Sequence, residues 1–89
     1  MSQSAYHRKY NHMPSDRELE VWELVAKGLT NEEIGKELHI SVRTVQTHLV
    51  VICEKMGFRN RTEAAAAWVK RRIAAELRKR GMTDVSWIQ

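Results

Sequence analysis

Residues 28–57 read GLTNEEIGKELHISVRTVQTHLVVICEKMG, and the spacing of polar caps and apolar positions in them describes two helices joined by a tight turn. Gly28 can close a preceding helix in the left-handed conformation that only glycine adopts cheaply. Thr30 and Glu33 stand in the Thr-x-x-Glu order of a capping box, in which hydroxyl and carboxylate each accept the other residue's backbone N–H, so a short helix is predicted over 31–38. His39 and Ile40 make the turn. Ser41 then caps a helix predicted over 41–56, whose apolar positions Val45, Leu49, Ile52 and Met56 step by four, three and four residues and so share one face. The opposite face is left for something outside the fold.

Working outward, Ser15-Asp16-Arg17-Glu18 supplies a second capping box, and Pro14 discourages helix further upstream. The first helix is predicted over 16–27, burying Val21, Trp22, Leu24 and Val25 while Glu20, Glu23 and Lys27 face water. Gly35 inside the second helix costs about 1 kcal/mol relative to alanine, which points to close packing of the second helix against the third. Beyond Gly57, Asn60 with Glu63 forms a third box and opens a long helix to about Arg80, with Gly81 as its stop. The expectation is an all-α fold of four helices over residues 14–81. A polar, aperiodic tail precedes it at 1–13, with His7, Arg8, Lys9 and His12 close together, and a short tail follows at 82–89. There are no internal repeats and no linker.

Eighty-nine residues make one small domain, which buries roughly 60% of the surface its unfolded chain would show and is marginal alone. A partner subunit would help it. The apolar runs, residues 49–53 among them, are far too short to cross a bilayer, and the N-terminus has no apolar stretch of a secretory signal. A cytoplasmic protein is therefore expected, in keeping with a single cysteine, Cys53, that has no internal partner. The net charge of +4 is unevenly spread: residues 15–40 hold seven acids against three bases, residues 41–89 ten bases against four acids. The C-terminal half is the half a polyanion would meet, although Lys and Arg also solvate ordinary helices.

Two helices at a fixed angle, the second with an outward polar face, are the layout by which a helix-turn-helix addresses DNA. With about 100° per residue from Val45, Arg43, Thr47, Val50 and Glu54 fall within about 40° of the direction away from the core, with Gln46 beside them. Arg43, Gln46, Thr47 and Val50 are the candidate base readers. The Gln46 amide suits adenine N6 and N7, Val50 and the Thr47 methyl suit a thymine methyl, and Arg43 suits either guanine or a phosphate. Candidate DNA-backbone contacts are Thr30 and Asn31 at the start of the second helix, Thr44 at the start of the third, and Arg59 and Arg61. Arg43, Gln46 and Thr47 would also be unremarkable as solvated surface, but the adjacent valines Val50 and Val51 touch either DNA or protein. His48, at the border of the buried face, reads as structural.

Ala66, Val69, Ile73 and Leu77 form a stripe on the fourth helix among Lys70, Arg71, Arg72, Arg78, Lys79 and Arg80. Its near end, Ala66 and Val69, is expected to dock on the first and third helices. The far end, Ile73 and Leu77, with Val69 at the changeover, is the candidate dimerisation surface of a homodimer. Val85, Trp87 and Ile88 would cover the same junction.

Arg17-Glu18, Glu20-Val21, Gly28-Leu29-Thr30-Asn31, Glu33-Ile34, Ile40-Ser41, Thr44-Val45, His48, Lys55-Met56-Gly57 and Asn60-Arg61-Thr62-Glu63-Ala64 closely resemble the LuxR/GerE-type DNA-binding domain, over about Pro14 to Trp68. The resemblance implies a four-helix domain whose third helix enters the major groove and whose fourth pairs two subunits. It places Gln46, Thr47 and Val50 at base-reading positions. Members are mostly transcription regulators with an upstream receiver or ligand-sensing domain, and this chain is similar to the free-standing GerE type. It departs from the family's usual residues at Pro14, Gly35, Gln46, Val50 and Val51. The implied function is a sequence-specific transcription regulator acting on double-stranded DNA as a homodimer, with RNA polymerase or another regulator as a further partner. Its rival is a protein-interaction module that antagonises another LuxR-type regulator. A polymerase sigma-factor fragment shares the helix-turn-helix logic, but residues 60–64 favour the LuxR/GerE type. No enzyme is expected: His7, His12, His39, His48 and Cys53 show no metal-ligand spacing, no Gly-rich phosphate loop or nucleophile with a base is present, and no cofactor is implied.

Overall fold

A computed structural model describes residues 13–82. Each of its helices begins where a polar cap stands. Ser15 opens α1 (Asp16–Ala26), Thr30 opens α2 (Asn31–Leu38), Ser41 opens α3 (Val42–Met56) and Asn60 opens α4 (Arg61–Lys79). No strand occurs among the described residues. The first two capping boxes close in both directions: Ser15 Oγ accepts from the Glu18 N–H at 3.1 Å while Glu18 Oε1 accepts from the Ser15 N–H at 2.8 Å, and Thr30 with Glu33 repeats both distances. The third is only half formed. Asn60 Oδ1 accepts from the Glu63 N–H at 2.9 Å, but the Glu63 carboxylate passes over Asn60 and takes the Arg59 N–H at 2.7 Å and Arg59 Nε at 2.9 Å. The arginine's charge draws it one residue further back.

Gly28 ends α1 as its sequence position suggests. It sits at φ +92°, and the Leu29 N–H reaches back to the Leu24 carbonyl at 3.2 Å. The turn between α2 and α3 uses a less forgiving residue, since His39 holds the left-handed conformation at φ 60°. This turn also explains Gly35, and not in the way the helix spacing suggested. A Cβ on Gly35 would lie 2.7 Å from the Ile40 carbonyl oxygen, whose own N–H donates to the Gly35 carbonyl at 2.9 Å. The glycine makes room for the returning turn, not for the body of α3. A side chain in the left-handed region costs about 1–2 kcal/mol, part of which glycine gives back through its freer unfolded chain. His39→Gly is therefore expected to stabilise the domain by about 0.5–1 kcal/mol, seen as a rise of a few degrees in Tm by calorimetry. A fall in Tm would mean that the imidazole makes a contact worth more than the strain.

The core is where the three short helices meet the start of α4. Val21, Trp22 and Val25 of α1, Ile34 of α2, Val45 and Ile52 of α3 and Ala64 of α4 are buried, with Leu19, Leu24, Leu29, Leu38, Ile40, Leu49, Met56 and Phe58 packed around them. Leu24, expected inside, is only half-buried. Trp22 is the centre: its ring lies 5.5 Å from Phe58 and 5.1 Å, edge to face, from Trp68, and its indole N–H donates to the Ala64 carbonyl at 2.6 Å. This pairing corrects the expected docking face of α4. Trp68, the largest apolar side chain on that helix, turns inward beside Ala64, Ala65 and Ala67, which rotates Ala66 and Val69 out to solvent.

One tie had no signature in the sequence. Glu18 is buried, and besides capping α1 its Oε1 accepts from Lys55 Nζ at 2.8 Å, bridging α1 to the end of α3. Lys55 Nζ also donates to the Met13 carbonyl at 3.3 Å. Met13, assigned to the N-terminal tail by composition, is thereby attached to the helical body. The basic cluster of His7, Arg8, Lys9 and His12, and the tail residues Val85, Trp87 and Ile88, lie outside the described residues.

Candidate nucleic-acid interface

The outward face of α3 is created by what its inward face must do. Val45 and Ile52 are completely buried, and that fixes the rotation of the helix. Arg43, Gln46, Thr47 and Val50 then emerge together on the solvent side, all four exposed. They stand three and four residues apart, the spacing at which helix side chains are neighbours, so they form one small patch. Its polarity is mixed: a guanidinium, an amide, a hydroxyl and an isopropyl group. The hydroxyl is turned inward on the helix, Thr47 Oγ1 donating to the Arg43 carbonyl at 3.1 Å.

The valine pair separates in the structure. Val50 is 60% exposed, whereas Val51, expected outside, is half-buried on the flank, because 100° of helical rotation carries it back toward the core. A third apolar residue that the sequence pattern did not single out, Val42, is exposed at the start of α3. Thr44 sits at the same end, half-buried, its Oγ1 3.0 Å from Ser41 Oγ.

The candidate backbone contacts divide. Thr30, Asn31, Gln46 and Arg61 line one concavity, with Gly28, Leu29, Glu32 and Val42, so the start of α2 lies next to the α3 patch. Arg61 is committed to the fold there: Nη1 donates to Asn31 Oδ1 at 2.6 Å and Nη2 to the Leu29 carbonyl at 2.5 Å. It braces the loop before α2 from the first turn of α4. Arg59 is exposed and paired with Glu63, and it borders a hollow formed with Leu49, Val50 and Cys53. Arg61 lines both hollows, the one beside Val50 and the one beside Gln46.

Local charges are settled by these pairings. The Glu63 carboxyl lies below its ordinary range, held there by the Arg59 backbone N–H and then by the Arg59 guanidinium. Burial, assisted by the Glu63 charge, pushes the Cys53 thiol up, which leaves it protonated and a poor nucleophile or ligand. Glu18 neutralises Lys55, and Arg43 is the one cation among the four exposed candidate readers. Among the described residues no group of three or more His, Cys, Asp or Glu could hold a metal, and no helix is long and apolar enough to cross a membrane. On α4, Val69 and Ile73 are 50% and 44% exposed, while Leu77 packs against Ala74.

Residues 14–67 match the family described as bacterial regulatory proteins, luxR family. The chain is 51% identical over 49 residues to the transcriptional regulatory protein LiaR of Bacillus subtilis strain 168, an alignment covering 55% of this chain and 23% of LiaR. It is 42% identical over 52 residues to the response regulator protein VraR of Staphylococcus aureus strain Mu3, covering 58% and 25% respectively. The aligned part is thus about a quarter of the length of these curated relatives. No solved structure matches significantly.

Proposed function

The chain belongs to the luxR family of bacterial regulatory proteins, and from that membership we propose that it regulates transcription by binding double-stranded DNA, with α3 in the major groove. The observation that carries this is the patch of Arg43, Gln46, Thr47 and Val50, exposed as a unit on a helix whose other side is anchored by Val45 and Ile52. In this reading those four side chains meet base edges. Thr30, Asn31, Thr44 and Arg59 meet phosphates, and Arg61 serves the same contact by holding Asn31. The protein acts in the cytoplasm, with RNA polymerase or another regulator as a further contact.

The proposal includes a homodimer. Val69 and Ile73 expose apolar side chains on an otherwise basic stretch of α4, and Leu77 continues the line; a two-fold partner helix would cover all three. Two α3 helices would then meet half-sites roughly 34 Å apart on an imperfect palindrome. Selection from random duplexes with the full chain is expected to enrich such a palindrome. Binding to it should weaken with salt, log K falling by about 0.9 per decade of salt for each phosphate neutralised. A folded protein that enriches no sequence, or a strictly monomeric mass by light scattering at tens of micromolar, would overturn the corresponding part.

A second reading is favoured by one observation, the 60% exposure of Val50 on a face where Arg43 is the sole cation among the candidate readers. Such a face also suits a module that antagonises another regulator by protein contact. If Val50→Arg abolishes binding to a co-purifying regulator while the wild type binds no duplex, that reading replaces the first.

A further inference from the structure

The fourth helix carries more than the apolar line of Val69, Ile73 and Leu77. Lys70, Ala74 and Arg78 each follow a member of that line by one residue, which places them about 100° further round the helix. They belong to an open groove of about 550 Å³ that none of the four α3 readers lines. We infer that this groove is a docking site for a second protein, entered by an amphipathic helix whose apolar edge is bordered by carboxylates. The partner concerned is not DNA, so the inference does not rest on how α3 reads a duplex.

The floor calls for an apolar occupant. It is made by Phe58, Ala67 and Ala74, and Ala74 is buried apart from the main core, with Leu77 packed against it. From Glu63 to Arg78 the groove follows α4 for about 22 Å at 1.5 Å per residue, and the alanines let a second helix approach to the roughly 8–10 Å spacing of packed helices. The rim calls for carboxylates. Lys70, Arg71 and Arg78 line it, all exposed, and among the described residues none of them has a salt bridge, whereas Lys79 and Arg80 share Glu76. Arg71 is held in place by the Trp22 and Trp68 rings, 5.3 and 5.9 Å from its guanidinium. Glu63, the one acid in the lining, is already bound by Arg59. Phosphates would match this rim but leave the apolar floor without a role, while an acidic amphipathic helix matches both.

The test titrates the full chain with a fluorescein-labelled helical peptide of about 15 residues, leucine along one face and glutamate elsewhere, and with the same peptide carrying lysine for glutamate. The glutamate peptide is expected to bind at tens of micromolar and the lysine peptide not at all. NMR amide shifts should move at Phe58, Ala67 and Ala74 and stay at Arg43 and Thr47. Lys70→Glu combined with Arg78→Glu should weaken binding about tenfold, two surface attractions having become repulsions. Arg72→Glu combined with Lys79→Glu makes the same charge change on the opposite side of α4 and should weaken it less than about threefold. All four positions are exposed, and circular dichroism checks that the helix survives. Absence of binding, or equal losses from the two pairs of changes, overturns the inference. Three further results overturn it by showing another occupant: dissociation of a dimer by the peptide, which puts a second copy in the groove; stronger peptide binding by Trp87→Ala, which puts the chain's own C-terminal segment there; or displacement of the peptide by a duplex of arbitrary sequence, which puts DNA there.

Discussion

Trp22→Ala is expected to remove half or more of the domain's folding stability. Truncating a buried tryptophan costs about 3–5 kcal/mol, and a domain of this size has a total stability of about 4–10 kcal/mol. The upper end of that cost applies here. Trp22 is 1% exposed, its ring meets both Phe58 and Trp68, and the Arg71 guanidinium lies over it at 5.3 Å. Removing it would empty the junction of α1 with α4 and also delete the 2.6 Å hydrogen bond from the indole N–H to the Ala64 carbonyl. Trp22→Phe separates the two contributions. It keeps a ring in the cavity but gives up the indole hydrogen bond to a carbonyl that stays within the α4 helix, a loss of about 1 kcal/mol. Urea unfolding followed by circular dichroism gives both numbers. A loss under about 1 kcal/mol for the alanine variant would mean that α4 is held on α1 by something other than this residue.

How far such features were legible beforehand depends on whether their causes are local. Helix starts are local, because a cap and its partner lie within three residues. Ser15, Thr30, Ser41 and Asn60 therefore mark all four helices from the sequence, and Val45 and Ile52 set the rotation of α3 closely enough that Arg43, Gln46, Thr47 and Val50 are exposed as their spacing predicts. Partners distant along the chain left no such trace. Nothing near Arg61 announces that it reaches Asn31, 30 residues away, and nothing near Trp68 says that its edge-to-face contact with Trp22 decides which stripe of α4 turns inward. Glu63 shows the same limit at short range. The pattern of a capping box was present, but the neighbouring Arg59 offered its carboxylate a charged partner that the backbone of Asn60 could not match. Gly35 was recognisable as a close approach, while the approaching atom, a carbonyl in the following turn, required three-dimensional information.

The other large effect is expected at Glu18. Burial alone would raise the carboxyl's pKa; the Lys55 ammonium and the Ser15 N–H and hydroxyl outweigh it, so the net position is below the usual value of 4.5. The sign of the linkage follows from that direction. A carboxyl with a lowered native pKa contributes stability that is fully present above the unfolded value and is lost as pH falls through the native one. The wild type should thus weaken below about pH 4.5, where Glu63, also lowered, adds to the trend from the surface. Glu18→Gln keeps an oxygen for the Ser15 N–H but leaves the Lys55 ammonium, its side chain only 10% exposed, without a countercharge. Removing one partner of a buried pair costs about 3–5 kcal/mol, and the low end applies because Lys55 retains the Met13 carbonyl. The variant should be about 3 kcal/mol less stable at pH 7 and should show a flatter acid limb. Adding Lys55→Met should recover most of the loss, since it removes the buried charge that the first change left without a partner and puts an apolar side chain of similar volume in its place. If the double variant is no better than the single, Glu18 matters as a cap and not as an anchor. If it recovers, the loss in the single variant is the cost of a Lys55 ammonium without its countercharge, and the carboxylate that starts α1 is what balances the end of α3.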